Sequence, residues 1–346
     1  MQMVLLSTMM VLVTGASGHV GANLVRALLT QGRRVRVLVH ENTRALEGLD
    51  IEIVHGDVCD LSSICRACAG VSVVYHLAAC ISLGSAGWPL LERVNVQGTG
   101  NVVEACLSGG VARLIHFSSI HAMIQTPLSL PVDENRPLVG SASPPLYDRS
   151  KAEGERVVLK GVKRGLNAVI INPTAIVGPC DFQPSHFGRV LLMLAEGKLP
   201  ALVSGGFDWV DARDVVAGAI SAETQAVPGS KYLLSGHWVS VRDVALMTQK
   251  ITGTPAPGFV CPNWLARAGL PVINRCYYRD GQPPLYTGFS LRTLQSNRNI
   301  DCGKAQRDLG YRPRPFAETL RDTLQWFEAN GYLHSLTGKQ AIRLSP

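Results

Sequence analysis

The sequence predicts an α/β protein: a doubly wound parallel sheet followed by a smaller C-terminal region. Three observations predict it. Short apolar runs alternate with helix-length segments through the first half of the chain. The first of these runs passes through a glycine-rich turn straight into an amphipathic helix. Small and polar residues gather where the runs end, the edge at which such sheets hold ligands.

Taken in order, "MMVLVTGASGHVGANLVRALLTQG" reads as strand, turn and helix, with Val20, Leu24, Ala27 and Leu28 on one helical face. The residues before it are apolar but lack the basic start of a signal peptide, so they read as the approach to a buried strand. Gly15, Gly18 and Gly21 form GxxGxxG, one residue wider between its first two glycines than the usual dinucleotide fingerprint. Gly15 suits a tight turn, Gly18 a close approach to pyrophosphate, and Gly21 close packing of helix on strand. The amides of Ser17, Gly18, His19 and Val20 then face the phosphates at the positive end of the helix. "RRVRVLV", "IEIVHGD", "VSVVYHLAA" and "ARLIHFSS" follow as strands two to five, with "LLERVNVQGTGNVVEACLSG" as the long helix between the last two. Right-handed crossovers between parallel strands bring "TGASGHVG", "VHENTR", "GDV", "HLAA" and "FSSIHA" to one crevice. We assign 1–175 as a dinucleotide-binding, Rossmann-like domain. Residues 176–335 form a mainly substrate-binding region partly interleaved with it, and 336–346 a tail.

Composition narrows the function. The chain has 346 residues, 46% of them hydrophobic, enough for one large core or two modest ones. Nine cysteines are scattered through apolar segments, as buried reduced thiols are, which points to the cytoplasm and not to a secreted disulfide framework. Cys65 and Cys68 make a CxxC with no second pair for a metal, and no cluster has metal-ligand spacing. The net charge of +7 is spread along the chain without a dense basic run, so nucleic acid is not the expected partner. No uninterrupted apolar stretch reaches the ~18 residues of a membrane span. Residues 259–276 are apolar with Arg267 and Arg275 among them and a kinking Pro271, but membrane contact is not the favoured reading.

"LYDRSKAEGERVV" sets Tyr147 and Lys151 one helical turn apart on the same face. Any amphipathic helix yields such pairs, so the pair alone decides nothing. Together with "TGASGHVG", "GDVCD", "HLAA", "VNVQGTGNVVEA", "FSSIHA" and "NPTAIVGP", in order and at close to family spacing, "YDRSK" resembles the extended short-chain dehydrogenase/reductase family, of NAD-dependent epimerase/dehydratase type. The resemblance continues to "KAQRDLGYRPRPFAETLRDTLQWFEANGYL" and is greatest to members like dihydroflavonol 4-reductase and 3β-hydroxysteroid dehydrogenase. It implies Tyr147 as proton donor and acceptor, Lys151 as its electrostatic tuner and anchor for the nicotinamide ribose, and Ser119 as donor to the substrate oxygen. Bringing a phenol from ~10 to about 7 takes roughly 4 kcal/mol of phenolate stabilisation, a task for an adjacent ammonium and the cofactor's positive ring. Ser118, alternating to the other face, is expected to make a backbone or turn contact.

The resemblance further implies that Asp57 and Val58 lie at the adenine, that Leu77, Ala78 and Ala79 line the ribose and nicotinamide path, and that Pro173 sits beside the nicotinamide. Where NAD-dependent relatives carry an aspartate this chain has Val39, followed by His40 and, nearby, Arg44. Two cations at the 2′ position favour NADP(H), with NAD(H) as the alternative and Glu41 as the dissenting residue. Relatives acting on nucleotide sugars place an arginine before the "WVDARDV" equivalent. Here Gly206, Phe207 and Asp208 offer no cation for a diphosphate, and Arg213 falls on the helix side. "CISLGSAGW", "IHAMIQTPL" and "VGSASPPL" supply apolar and small residues instead.

The expected activity is an NADP(H)-dependent oxidoreductase interconverting carbonyl and alcohol on a hydrophobic small molecule. The alternatives are an NAD-dependent epimerase or isomerase of a nucleotide sugar, and a dinucleotide sensor without chemistry. His121 is a candidate second donor to substrate, and His76 and His116 read as packed. Family members also pair through the helices flanking strands four and five, which makes a homodimer the expected assembly.

Overall fold

Val11, Leu12 and Val13 are fully buried, so the first strand has protein on both faces, as the centre of a parallel sheet requires. It is β1 (Met10–Thr14) of the computed structural model, which describes residues 9–81, 86–142, 145–277 (backbone only over 271–277) and 287–333. Parts of the apolar start, of "CISLGSAGW", of "VGSASPPL", of the 259–276 stretch and all of the 336–346 tail lie outside the described residues.

From β1 the chain enters α1 (His19–Thr30) and returns as β2 (Arg34–Val39), then β3 (Glu52–His55). Helix α2 (Leu61–Cys68), capped by Asp60 on the amides of Ser62 and Ser63, leads to β4 (Val71–His76). Next, α3 (Trp88–Leu91) runs through a π-helical stretch, Glu92–Gln97, into α4 (Gly98–Ser108) and β5 (Arg113–Phe117). Helix α5 (Leu146–Lys163) and β6 (Ala168–Pro173) follow. The predicted strands two to five are all present. The predicted long helix is one continuous rod, but its middle is widened to the π form.

Beyond residue 175 come β7 (Ala175–Val177), α6 (His186–Glu196), β8 (Leu202–Val203), β9 (Gly206–Asp211) and α7 (Ala212–Gln225). They are followed by β10 (Lys231–Leu234), β11 (His237–Ser240), α8 (Val241–Thr252), β12 (Val260–Cys261) and α9 (Asn263–Tyr277). Three helices complete the described chain: α10 (Gly288–Thr293), α11 (Gly303–Leu309) and α12 (Phe316–Ala329). The main sheet has seven strands in the order β10-β6-β5-β4-β1-β2-β3, all pairings parallel. Its edge strand β10 thus comes from beyond residue 230, and α7 packs on α1 under the same sheet. The sheet carries one apolar layer on each face, one gathering Leu24, Ile171 and Val215 and the other Leu12, Ile64 and Val158. A third core, with Leu191, Trp209, Leu320 and Phe327, holds the C-terminal region and its β11-β9-β7 sheet.

The order of strands reverses between β1 and β4, since β2 lies on one side of β1 and β4 on the other. That switch point opens the crevice in which the site lies.

Candidate functional site

The glycine turn forms one wall of the crevice. Gly15 adopts φ +71, and a Cβ there would stand 2.6 Å from the Ala78 nitrogen at the end of β4. A Cβ on Gly21 would come within 2.2 Å of the Gly15 oxygen. Both positions admit only glycine, so turn, helix and strand meet backbone to backbone. Helix α1 begins at Gly18 with no side-chain cap and no acidic residue in its first turn. Its first amides and positive dipole end are therefore left for an anion.

From this turn a cavity of about 840 Å³ runs across the strand ends. Gly15, Ser17, Gly18, His19 and Val20 line its start; His40, Asp57 and Val58 one side; Leu77, Ala78 and Ala79 its floor; and Ser119, Tyr147, Lys151 and Pro173 its middle. A tight uncapped glycine turn continuous with such a channel fits a dinucleotide, and Arg93, which sequence reading missed, adds a cation to the lining.

Arg44 does not line the cavity. Its guanidinium lies over the Tyr332 ring, 5.4 Å from the centroid, because the C-terminal chain returns to this edge and offers it an aromatic face. His40 lines the cavity but faces carboxylates: Nδ1 is 3.6 Å from Glu41 Oε1 and Nε2 4.0 Å from Asp57 Oδ2. The pair of cations expected at the 2′ position is not assembled. His19 also has a second task, its Nε2 lying 3.0 Å from the Gly178 oxygen and 3.1 Å from that of Pro179, which ties α1 to the loop after β7.

Ser118 and Ser119 diverge as their alternation requires. The Ser118 hydroxyl donates to Glu155 Oε1 at 2.6 Å, a buried side-chain contact in place of the turn role expected. Ser119 lines the cavity with Tyr147 and accepts from the His121 amide at 3.2 Å. Asn172 braces both, donating to the Ser119 oxygen at 3.0 Å and to Glu155 at 2.5 Å. Another brace comes from the π-helical stretch, which turns Asn95 inward. Asn95 accepts from the Cys80 amide at 2.7 Å and donates to the Cys80 oxygen and to Ser150 Oγ, while Ser150 Oγ donates to the Tyr147 oxygen at 2.8 Å. Because Ser150 meets the backbone carbonyl of Tyr147, the loop at Cys80 and the first turn of α5 are held in one frame.

Lys151 is buried, and its ammonium donates to the Phe117 oxygen at 2.9 Å. Burial brings it down to about 8, against the pull of Glu155. The Tyr147 phenol is pushed well above its ordinary value by burial, then by Asp148 and Cys80, with the Ser119 hydrogen bond working the other way. The lowering of the phenol is expected of Lys151 together with the cofactor's positive ring, and Lys151 without that ring does not offset the burial. Desolvation dominates, and the protein by itself holds Tyr147 protonated, a proton donor. His76 and His116 are buried, as read from sequence, and burial keeps both neutral, His76 at about 3.

The far half of the cavity is apolar. Ile176, Phe187, Val190, Phe207, Trp209 and Phe289 line it, with Phe187 stacked on Trp209 at 3.8 Å. Arg213 is turned away, bound to Asp211 at 2.7 Å and to Asp322 at 2.7 Å. Among the described residues there is no group of His, Cys, Asp and Glu able to hold a metal ion and no helix long and apolar enough to cross a membrane.

Comparison with known proteins agrees with this geometry. The model of the NAD-dependent epimerase/dehydratase family matches residues 11–234. The chain is 36% identical to sterol demethylase protein B of Methylococcus capsulatus over 331 residues, covering 94% of this chain and 100% of that protein. It is 32% identical to a putative dihydroflavonol 4-reductase of Synechocystis over 334 residues, 93% and 95% of the two chains. The fold of dTDP-glucose 4,6-dehydratase from Streptomyces venezuelae superposes with a TM-score of 0.74 at 24% identity, covering 95% of this chain and 100% of that one. The chain belongs to the NAD-dependent epimerase/dehydratase family, the extended short-chain dehydrogenases/reductases, and is an enzyme of that family.

Proposed function

We propose that the protein interconverts a ring alcohol and its ketone on a hydrophobic polycyclic molecule of sterol type, with Ser119, Tyr147 and Lys151 as the catalytic residues. The observation that carries the reading is the junction of two halves of one cavity: a protonated phenol beside Ser119 at the end of the dinucleotide channel, and an apolar aromatic wall beyond it. The relatives named for sterol demethylation and dihydroflavonol reduction support a flat apolar substrate. The position expected of a diphosphate clamp carries no cation, Gly206, Phe207 and Asp208 standing there, and Arg213 beyond it is held by two aspartates.

A bound nicotinamide would supply or accept the hydride. The protein's own residues do the rest. As negative charge grows on the carbonyl oxygen, the Ser119 hydroxyl and the Tyr147 proton meet it, and they stabilise the charged transition state more than the neutral ketone. Lys151, fixed by Phe117, presents its ammonium to the ribose side of the channel. The apolar wall excludes water from the reacting carbon.

For the cofactor we propose NAD(H) over NADP(H), the reverse of the reading from sequence. A 2′-hydroxyl finds an acceptor in Asp57, whereas a 2′-phosphate meets that carboxylate and a single imidazole, His40, with Glu41 close behind it.

The test follows the reduced nicotinamide absorbance after addition of a saturated 3-ketosteroid, androstan-3-one. The native protein should consume the reduced cofactor, and Tyr147→Phe should lose about 10²-fold or more in kcat while still binding dinucleotide. Turnover of a nucleotide sugar with no turnover of apolar ketones would overturn the proposal.

A further inference from the structure

Each carbonyl reduction takes one proton from Tyr147, and the buried phenol must regain it before the next. The structure places an unused acid beside it. Asp148 follows Tyr147 in the first turn of α5; its Oδ1 is buried, makes no hydrogen bond, and stands 3.6 Å from His121 Nδ1. His121 itself lines the cavity, with its ring edge-on to Tyr147 at 6.4 Å between centroids. Phe289 closes the group, 5.7 Å from His121 and 6.4 Å from Tyr147. Of the other polar neighbours, Asn95 is committed to Cys80 and Ser150, and Lys151 gives one of its three N–H groups to Phe117.

We propose that Asp148 and His121 form the proton reservoir that reloads Tyr147. The inference rests on the oxidoreductase reading above. In each reduction Tyr147 gives its proton to the substrate oxygen and keeps the bonding pair as phenolate. The Asp148 carboxyl then releases its proton to one ring nitrogen of His121 while the other nitrogen passes a proton on to the phenolate. The Asp148 carboxylate is reprotonated from solvent, and His121, left as its other tautomer, returns to the first by losing one ring proton to solvent and gaining one at the other nitrogen. Oxidation of the alcohol runs the same path outward. No electron leaves the system beyond the hydride already counted.

Electrostatics couples the two acids. A phenolate and a carboxylate on adjacent residues in a buried site disfavour one another, so forming the first holds the second protonated. Burial pushes the Asp148 carboxyl up to about 7 and keeps the His121 imidazole down at about 4, so near neutrality about half of the Asp148 carboxyls hold a proton and His121 is a neutral conduit. The charged and titratable groups facing the pair are Arg292 of α10, which pulls the carboxyl back down, and Tyr147 with Cys80 near its phenol.

The experiment compares a single turnover with the steady state, using the reduced nicotinamide and androstan-3-one. In Asp148→Asn the first turnover should proceed at close to the native rate, because Tyr147 starts protonated. Later turnovers should slow about tenfold or more, giving a burst of one equivalent with KM little changed. Asp148→Glu should restore part of the steady rate, and it serves as the comparison where Asp148→Asn folds poorly. Independently of turnover, infrared titration of the cofactor-free protein should show a carboxylic acid band lost near pH 7 in the native protein and absent from Asp148→Asn. Equal slowing of first and later turnovers, no slowing at all, or no such band overturns the reservoir. A native protein that reduces no carbonyl overturns the oxidoreductase reading itself, which is a different result.

Discussion

One peptide unit separates Ser118 from Ser119, yet the first turns under the sheet to Glu155 and the second into the cavity. Alternation along β5 made that divergence readable in advance; the identity of the buried partner, 37 residues away, was not. His40 shows the same limit, since its place at the end of β2 and the adjacent Glu41 were legible whereas the approach of Asp57 follows from how β3 returns. If those carboxylates select the 2′-hydroxyl, His40→Arg should tighten NADP relative to NAD by about tenfold, read from the two dissociation constants by quenching of intrinsic fluorescence. An unchanged ratio would remove His40 from cofactor choice. Lys151 allows a test with pH. Its folded-state value, about 8, lies below that of a free lysine, so burying the charge costs stability at neutral pH and the cost disappears as pH rises towards the free value. Lys151→Met should therefore gain on the native protein by up to about 3 kcal/mol more at pH 7 than at pH 10, measured by urea unfolding at each pH. A pH-independent difference would show that Lys151 is not a desolvated ammonium.

At the scale of elements, the glycine turn was the most legible feature, because the roles of Gly15 and Gly21 follow from strand, turn and helix being consecutive. The structure adds the contact that makes them strict: Gly21 abuts Gly15, and Gly15 abuts the end of β4. Gly21→Ala should destabilise the protein by roughly 1–3 kcal/mol in thermal melts and abolish dinucleotide binding, since the turn must shift to admit the methyl group. Retained affinity would mean that the turn yields at no cost. The π-helical stretch was not legible. "LLERVNVQGTGNVVEACLSG" has the pattern of an ordinary helix, and the widening reflects tertiary hydrogen bonds of Asn95 to Cys80 and Ser150. Helix α10 escaped notice for a similar reason: Phe289, Thr293 and Leu294 line the cavity from a segment far along the chain with no motif of its own.

Across the whole molecule, the C-terminal region is tied to the sheet by a network centred on Asp211. This residue is buried, caps α7, and meets Arg213 at 2.7 Å and Arg314 at 3.5 Å, while Arg314 reaches Asp214 at 2.8 Å. Asp211→Ala leaves two partly buried guanidinium groups short of a partner. It should cost about 2 kcal/mol of stability and raise KM for the ketone while leaving dinucleotide affinity within about threefold, in melts and steady-state kinetics. Equal loss of ketone and dinucleotide binding would show that the network supports the entire crevice. By itself the sequence determined the parallel α/β architecture and the glycine turn between β1 and α1, because periodicity and glycine stereochemistry act over a few residues, whereas Ser119, Tyr147 and Lys151 were singled out by resemblance to the family and not by their spacing. Only the tertiary structure decided which cations line the crevice, what surrounds the phenol, and which distant apolar side chains wall the cavity. Those are contacts between segments far apart in the chain, and burial and charge take their values from neighbours that local pattern does not name.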